Sequence, residues 1–398
     1  MRIVHVIDYF QPKLGYQETF LAKEHSRLGH EVHVLTSDLY YPFPHYEETV
    51  GPLLGVRQLT PGVYEGEDGI TIHRLKARFE CWQRVWLKGV EQGIERIRPN
   101  VVFVHGISSI TSFRIARWKL RSTRKPPLIY DCHMIGIVSK SRLGPLFRSA
   151  YRSLFRHLIL KAGDAFVAVS DTTKKYMETA YEIPLHQIHM IPLGVDTERF
   201  RKDPDSGMKT RSELGIDPDE VVLIYVGKVI PEKGLHLLAE AVQRLLERCS
   251  EQKIRALVVG GGPSTYRAQI EADLQRAGIR ESFIWTSVVP NAELPRYYSA
   301  ADAGVWPREV SITQWEAMGC ELPIIVADNP AAAERVAWKN GLIYKEGDVE
   351  DLCRVMRKLL TNENLRKEMG QRGREIIEKK FSWRIIAQEF LALVRDAR

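Results

Sequence analysis

The chain has 398 residues, 44% of them hydrophobic and 27% charged, with a formal net charge of +7. That length exceeds what one hydrophobic core organises and points to two domains of roughly 200 residues each. No apolar run approaches the ~20 residues that span a bilayer. The opening MRIVHVIDYF reads as a first strand and not as a secretion signal. The five scattered cysteines (Cys81, Cys132, Cys249, Cys320, Cys353) argue against a zinc site and for reduced thiols in a cytoplasm.

In chain order, Ile3–Ile7 is a predicted strand, followed by the loop PKLGYQE and a helix over TFLAKEHSRLG that stops at Gly29. Gly15 in that loop lets backbone approach a ligand, although many turns need glycine for themselves. Strands follow at Glu31–Thr36, Val101–His105, Leu128–Tyr130 and Phe166–Val169. His105 and His133 each follow an apolar run, which predicts carboxyl strand ends facing a cleft. A structural role for a single histidine is the competing reading. Residues 1–196 hold 26 Lys and Arg against 19 Asp and Glu, a difference of +7, and the rest of the chain holds 31 of each. Residues 114–161 contain 12 basic side chains and one acid, Asp131. Within 139–163, Leu143, Leu146, Phe147, Ala150, Leu154 and Leu158 oppose Lys140, Arg148, Arg152 and Arg156. That pattern fits a helix lying on an anionic membrane or a core-facing helix with a basic outer side. Nucleic acid is disfavoured as a partner, since no recognition module is present.

The polar stretch 201–220, with Pro204, Gly207 and Pro218, reads as an interdomain linker. Beyond it, Val221–Val226, Ile254–Val259, Phe283–Trp285, Ala303–Val305 and Leu322–Val326 are predicted strands alternating with helices. The fold class is therefore α/β, with two consecutive Rossmann-like domains and a ligand cleft between them. YVGKVIPEKG places Gly227, Lys228 and Lys233 in a strand-to-helix loop, where two ammonium groups beside a helix N-terminus suit a diphosphate; a solvated loop is the plainer reading. Gly260–Gly262 lack the G-x-G-x-x-G spacing and read as a tight turn. In WPREVSITQWEAMGC, Ser311 is a predicted N-cap, with Gln314 completing a capping box. Glu316 lies one turn inside that helix and Glu309 in the loop before it. Two such carboxylates can accept hydrogen bonds from vicinal hydroxyls, while a general preference for acids at helix starts explains either one.

The YVGK…PEKG loop, IPLGVDTERF (191–200), VPNAELPRYYSAAD (289–302) and EAMGCELPIIV (316–326), in this order, resemble a retaining glycosyltransferase of the GT-B fold, close to glycosyltransferase family 4. The resemblance covers essentially the whole chain. It implies an N-terminal acceptor-side domain over 1–200, a nucleotide-sugar domain over 201–380, and a C-terminal helix over 381–398 returning to the first domain. It also implies that Lys228 and Lys233 hold the donor diphosphate and Glu316 the ribose hydroxyls. Ser311, Ile312 and Thr313 then meet phosphate and sugar, Val289 the base, and Gly227 and Gly15 the donor. His133 and Glu309 lie against the reacting sugar.

The implied reaction is transfer from a UDP- or GDP-sugar to a hydroxyl of a glycan or lipid-linked acceptor at the cytoplasmic membrane face. Arg148, Arg152 and Arg156 are candidates for acceptor or membrane contact. No cofactor and no metal is expected. The chain departs from the family pattern at its acid pair: the spacing E-x7-E counts back from Glu316 to Arg308, and Glu309 gives E-x6-E. A sugar-nucleotide epimerase of related fold and a catalytically silent sugar-nucleotide-binding scaffold are the alternatives.

Overall fold

The computed structural model describes residues 1–81, 83–132, 153–248, 253–308 and 310–396. Sixteen strands are found among them: β1 (Arg2–Val6), β2 (Glu31–Ser37), β3 (Gly62–Glu65), β4 (Thr71–Leu75), β5 (Ala77–Cys81), β6 (Arg84–Leu87), β7 (Val101–His105), β8 (Leu128–Cys132), β9 (Ala165–Ala168), β10 (Ile188–Met190), β11 (Val221–Val226), β12 (Ile254–Val259), β13 (Phe283–Thr286), β14 (Ala303–Trp306), β15 (Ile324–Ala327) and β16 (Gly341–Tyr344). The helices that shape the sites are α1 (Gln17–Arg27), α2 (Arg156–Ala162), α3 (Pro204–Glu213), α4 (Leu235–Arg248), α5 (Ser264–Arg276), α6 (Ile312–Gly319) and α7 (Trp383–Asp396).

The chain packs as two units, one of Met1–Pro42, Val56–Leu193 and Trp383–Arg398, the other of Phe43–Gly55 and Gly194–Ser382. In the first unit an eight-stranded sheet runs β10-β9-β8-β7-β1-β2-β4-β3, parallel except for β3. The second has six parallel strands in the order β13-β12-β11-β14-β15-β16. Strands such as VVLIYV and VVFVH are apolar runs because both faces of a parallel sheet are covered by helices. Each sheet reverses its winding once, between β1 and β7 in the first unit and between β11 and β14 in the second. Open α/β sheets bind ligands beyond the carboxyl ends of the strands at such a switch point.

The C-terminal α7 belongs to the first unit. Trp383, Ile386, Ala387, Phe390 and Val394 are buried at helical spacing. Trp383 stacks on Phe20 of α1 at 5.6 Å between ring centroids, and Phe390 meets Phe103 of β7 edge-on at 5.7 Å.

The stretch 201–220 is not a linker. Asp203 caps α3 by accepting from Ser206 N at 3.1 Å, and Pro204 takes the first helical turn. Arg211 donates to Ala300 O at 2.9 Å and to Asp302 Oδ2 at 3.0 Å. Gly207 lies so close to Ser299 that a Cβ there would come within 2.4 Å of its carbonyl oxygen. The helix is docked by polar bonds and one glycine, so it carries no apolar stripe to announce it.

Truncating Phe390 to alanine empties the contact between α7 and β7. We expect a loss of about 3–5 kcal/mol from the first unit. Hydrogen exchange across denaturant should show faster opening of β1 and β7, with the β11–β12 amides unchanged.

Candidate functional site

At the switch point of the second unit, β11 ends in Val226 and the chain turns through Gly227 and Lys228. The Val226 carbonyl accepts from Thr313 Oγ1 at 3.0 Å and from the buried Trp306 Nε1 at 3.1 Å. Trp306 Nε1 also reaches Thr313 Oγ1 at 3.0 Å. This junction fixes the first turn of α6 beside the Gly227–Lys228 loop, so Gly227, Lys228, Ser311, Ile312 and Thr313 lie together. Gly260 and Gly262 are required by close approach and not only by a turn: a Cβ on either would come within 1.9 Å of a carbonyl oxygen, that of Gly227 or of Val229. Val229 N donates to Gly261 O at 2.8 Å, which locks the two loops together.

Lys228 Nζ lies over the ring of Phe43, 4.2 Å from its centroid, a cation–π contact that orients the ammonium group without neutralising it. Lys233 closes a 3-10 turn, Pro231–Lys233, ahead of α4, and Gly234 follows with φ 74°. Arg308 folds over this turn. Its Nη1 donates to Pro231 O at 3.4 Å, and a Cβ on Gly234 would meet its Cγ at 2.9 Å. The position that the family pattern gives to an acid therefore brings a third cation to the lysine loop.

Ser311 caps α6 by accepting from Thr313 N at 3.4 Å. The expected capping box is not formed. Gln314 is 0% exposed, and neither of its amide atoms has a hydrogen-bond partner. From Gln314 to Gly319 every residue of α6 is buried, so the third position of the helix turns into the core instead of back to the cap. Glu316 is also in the interior, at 1% exposure. Its carboxylate accepts from Asn291 Nδ2 at 2.8 Å and from Tyr298 OH at 3.3 Å. Burial raises its pKa from 4.5 to about 7, and those two hydrogen bonds restrain the shift. Val289 sits half-buried in the loop after β13, two residues before Asn291.

In the first unit, Gly15 follows a 3-10 turn with φ 69°, a left-handed conformation that favours glycine, and α1 begins at Gln17. His105 does not face open solvent. It is buried between Asp131 Oδ2 and His5 Nδ1, the latter at 2.9 Å. Arg156 donates to Glu182 O at 3.1 Å and pairs with its carboxylate at 3.4 Å, so it is tied within the unit. Ile159 and Ala162 of α2 enter the core and Leu158 packs against it, whereas Leu154 of the predicted apolar face is exposed. His133, Arg148, Arg152 and Glu309 lie outside the described residues. Part of the basic excess is spent on ion pairs, Arg114 with Glu91 and Lys119 with Asp164. No group of His, Cys, Asp and Glu side chains that could hold a metal ion occurs among the described residues.

The sequence reading singled out neither Asn291, Tyr298, Trp306 nor Phe43. Asn291 and Tyr298 stand in the VPNAELPRYYSAAD segment, where only Val289 had been marked. Phe43 is remote in sequence from the loop it touches.

Two family models cover most of the chain: Glycosyltransferase Family 4 matches residues 19–199, and Glycosyl transferases group 1 matches residues 208–376. Among curated proteins, the chain is 27% identical to a GDP-mannose-dependent alpha-(1-6)-phosphatidylinositol monomannoside mannosyltransferase of Mycolicibacterium smegmatis, over 64% of this chain and 66% of that one. It is 26% identical to a D-inositol 3-phosphate glycosyltransferase of Kribbella flavida, over 95% of this chain and 89% of that one. Among solved structures it resembles sucrose-phosphate synthase from Thermosynechococcus elongatus, with a TM-score of 0.74, 19% identity and coverage of 99% and 98%. Anabaena HepE in complex with UDP gives a TM-score of 0.74 at 16% identity and covers both chains fully, 100% each.

The raised pKa of Glu316 has a definite consequence for stability. The folded protein binds a proton there that the unfolded chain has already lost above pH 4.5. The resulting stabilisation is complete below that pH and is lost as pH rises through about 7. Glu316→Gln removes the titration. Its stability relative to wild type should rise between those two pH values, with a ceiling of ~3 kcal/mol, in denaturant titrations run across the range.

Proposed function

Because the chain is a glycosyltransferase of the GT-B fold, we propose that it moves a sugar from a nucleoside diphosphate sugar to a hydroxyl of an anionic acceptor, with retention at the anomeric carbon. The observation that carries this reading is the junction at Val226, which puts the N-terminus of α6 beside a loop bearing Lys228 and Lys233. Charge develops on the diphosphate as the bond from the anomeric carbon to oxygen breaks. Cations and helix-start amides held in place beforehand stabilise it without reorganising. The acceptor oxygen bonds to the same face of the sugar, and its proton goes to the departing phosphate oxygen. No protein nucleophile and no metal takes part in this scheme.

In this reading Glu316, steadied by Asn291, accepts the ribose hydroxyls, and Val289 lies by the base. Gly227 gives the diphosphate close access to backbone. Ser311, Ile312 and Thr313 meet phosphate and sugar at the start of α6, where the Thr313 hydroxyl is committed to Val226 and its amide holds only a long bond to Ser311. The resemblance assigns Gly15 to the donor, and His133 and Glu309 to the sugar. The names of the relatives support a UDP- or GDP-sugar donor and an inositol phosphate or phosphatidylinositol-linked acceptor. The +7 excess in residues 1–196 suits such an anion. No described helix is long and apolar enough to cross a membrane; in this scheme a lipid-linked acceptor is met at the cytoplasmic membrane face.

Mass spectrometry of reactions with UDP- and GDP-sugars and inositol-phosphate or lipid-linked acceptors tests the proposal. Sugar on the acceptor with the donor's anomeric configuration is the expected product. An isomerised nucleotide sugar would indicate an epimerase, and binding without turnover a scaffold. Lys233→Ala should lower kcat/KM by about 100-fold or more. Near-wild-type turnover by that variant would contradict the diphosphate assignment. Sedimentation with anionic vesicles, absent with neutral ones, is expected if the acceptor is lipid-linked.

A further inference from the structure

Three histidines and one acid form a continuous buried row inside the first unit. His25 Nε2 lies 3.3 Å from the carbonyl oxygen of Ala387 in α7. His25 Nδ1 lies 3.1 Å from His5 Nε2, and His5 Nδ1 lies 2.9 Å from His105 Nε2. His105 Nδ1 then meets Asp131 Oδ2, which also accepts from Gln17 Nε2 at 3.3 Å. The row crosses β1, β7 and β8, and it links α7 to the first residue of α1.

The protons in this row can be counted. A carbonyl oxygen only accepts, so His25 must donate from Nε2, and its Nδ1 then accepts. His5 must donate from Nε2 to His25, and His105 from Nε2 to His5. Four contacts need four protons, whereas three neutral imidazoles carry three. The fourth stands between His105 Nδ1 and Asp131 Oδ2; without it, two acceptors would face each other in the interior, a costly arrangement. We infer that the row holds one proton more than a carboxylate and three neutral histidines supply, shared by His105 and Asp131, and that this pair positions Gln17 and the adjoining Gly15 turn for sugar transfer. Burial lowers the pKa of His5 well below its ordinary value and that of His25 to about 3, which keeps the proton at the Asp131 end. A row with the extra proton is electrically neutral, the state that burial favours. The positioning role rests on the glycosyltransferase reading; the proton count does not.

Two measurements separate these parts. Long-range 1H–15N spectra of histidine-labelled wild-type protein near neutral pH, with His105→Gln used for assignment, should show His5 and His25 protonated at Nε2 alone. They should also show a far-downfield proton bridging His105 and Asp131. Three neutral rings each protonated at Nδ1 alone, with His105 Nδ1–H the donor to the Asp131 carboxylate and no proton on any Nε2, would overturn the count. The Asp131→Asn amide can donate to His105 but no longer accepts from Gln17 at that atom, and Gln17→Leu removes the same tie from the other side. Each variant should lower kcat by about tenfold or more with little change in donor KM, and the double variant should cost no more than either single one. Wild-type kcat in Gln17→Leu would overturn the positioning role. A wild-type protein that transfers no sugar would remove the functional reading, and with it the positioning role, while the spectra still decide the proton count.

Discussion

The carbonyl oxygen of Val226 is the point on which the candidate donor site depends. It closes β11, the first strand of the second sheet in winding order, and takes bonds from Trp306 at the end of β14 and from Thr313 in the first turn of α6. β11 and β14 are neighbours across the reversal of the sheet, so both of their loops open at the same edge. A strand-end carbonyl would otherwise need water or the next strand; here it is satisfied by side chains of the facing loop. The same bonds bring a helix N-terminus and a lysine-bearing loop together and commit Thr313's hydroxyl to structure. The edge then presents backbone amides and cations.

Around that junction the polar groups are unequal in standing. Glu316 is buried and held by two donors, with a pKa near 7, so its charge depends on its surroundings. Gln314, two residues earlier, is equally buried and lacks partners. A short helix covered on all sides has no outer face on which to place such residues, and a core that accepts both carries a cost in stability. Stability given up at such a place is a common mark of a functional site.

Much of the architecture could be read before any coordinates. Parallel strands covered on both faces must be apolar throughout, so β1, β2, β7, β8, β11 and β12 stand out as short runs of Val, Ile and Leu. The elements that escaped had no such signature. β3 is exposed along its whole length, and β5 and β6 pair as a separate two-stranded ribbon. Helix α3 docks through Arg211 and Gly207, which in sequence are a charge and a turn residue. The site divides in the same way. Lys228, Lys233, Ser311 and Glu316 sit in motifs with recognisable spacing. Phe43, the junction of Trp306 with Val226, and the pairing of Asn291 with Glu316 are contacts between distant segments, which spacing cannot reveal. His105 was legible as a strand-end residue, but its environment was not, because His5 and His25 look like ordinary half-exposed residues until the fold stacks them.

The departure at Arg308 follows from the turn that carries Lys233. Gly234 has a left-handed backbone and no Cβ, and Arg308's aliphatic chain occupies the space that a Cβ would take. Its guanidinium reaches the Pro231 carbonyl, so the turn closes under a cation. An acid at this position, the residue type that the family spacing calls for, would place a negative charge beside Lys233 and reduce the positive potential the loop offers a diphosphate. Arginine raises that potential instead. The two features are coupled: a side chain at Gly234 would displace Arg308, whose guanidinium lies at the Pro231 carbonyl. Where the family spacing calls for an acid, this chain thus has a cation built into the packing of one turn.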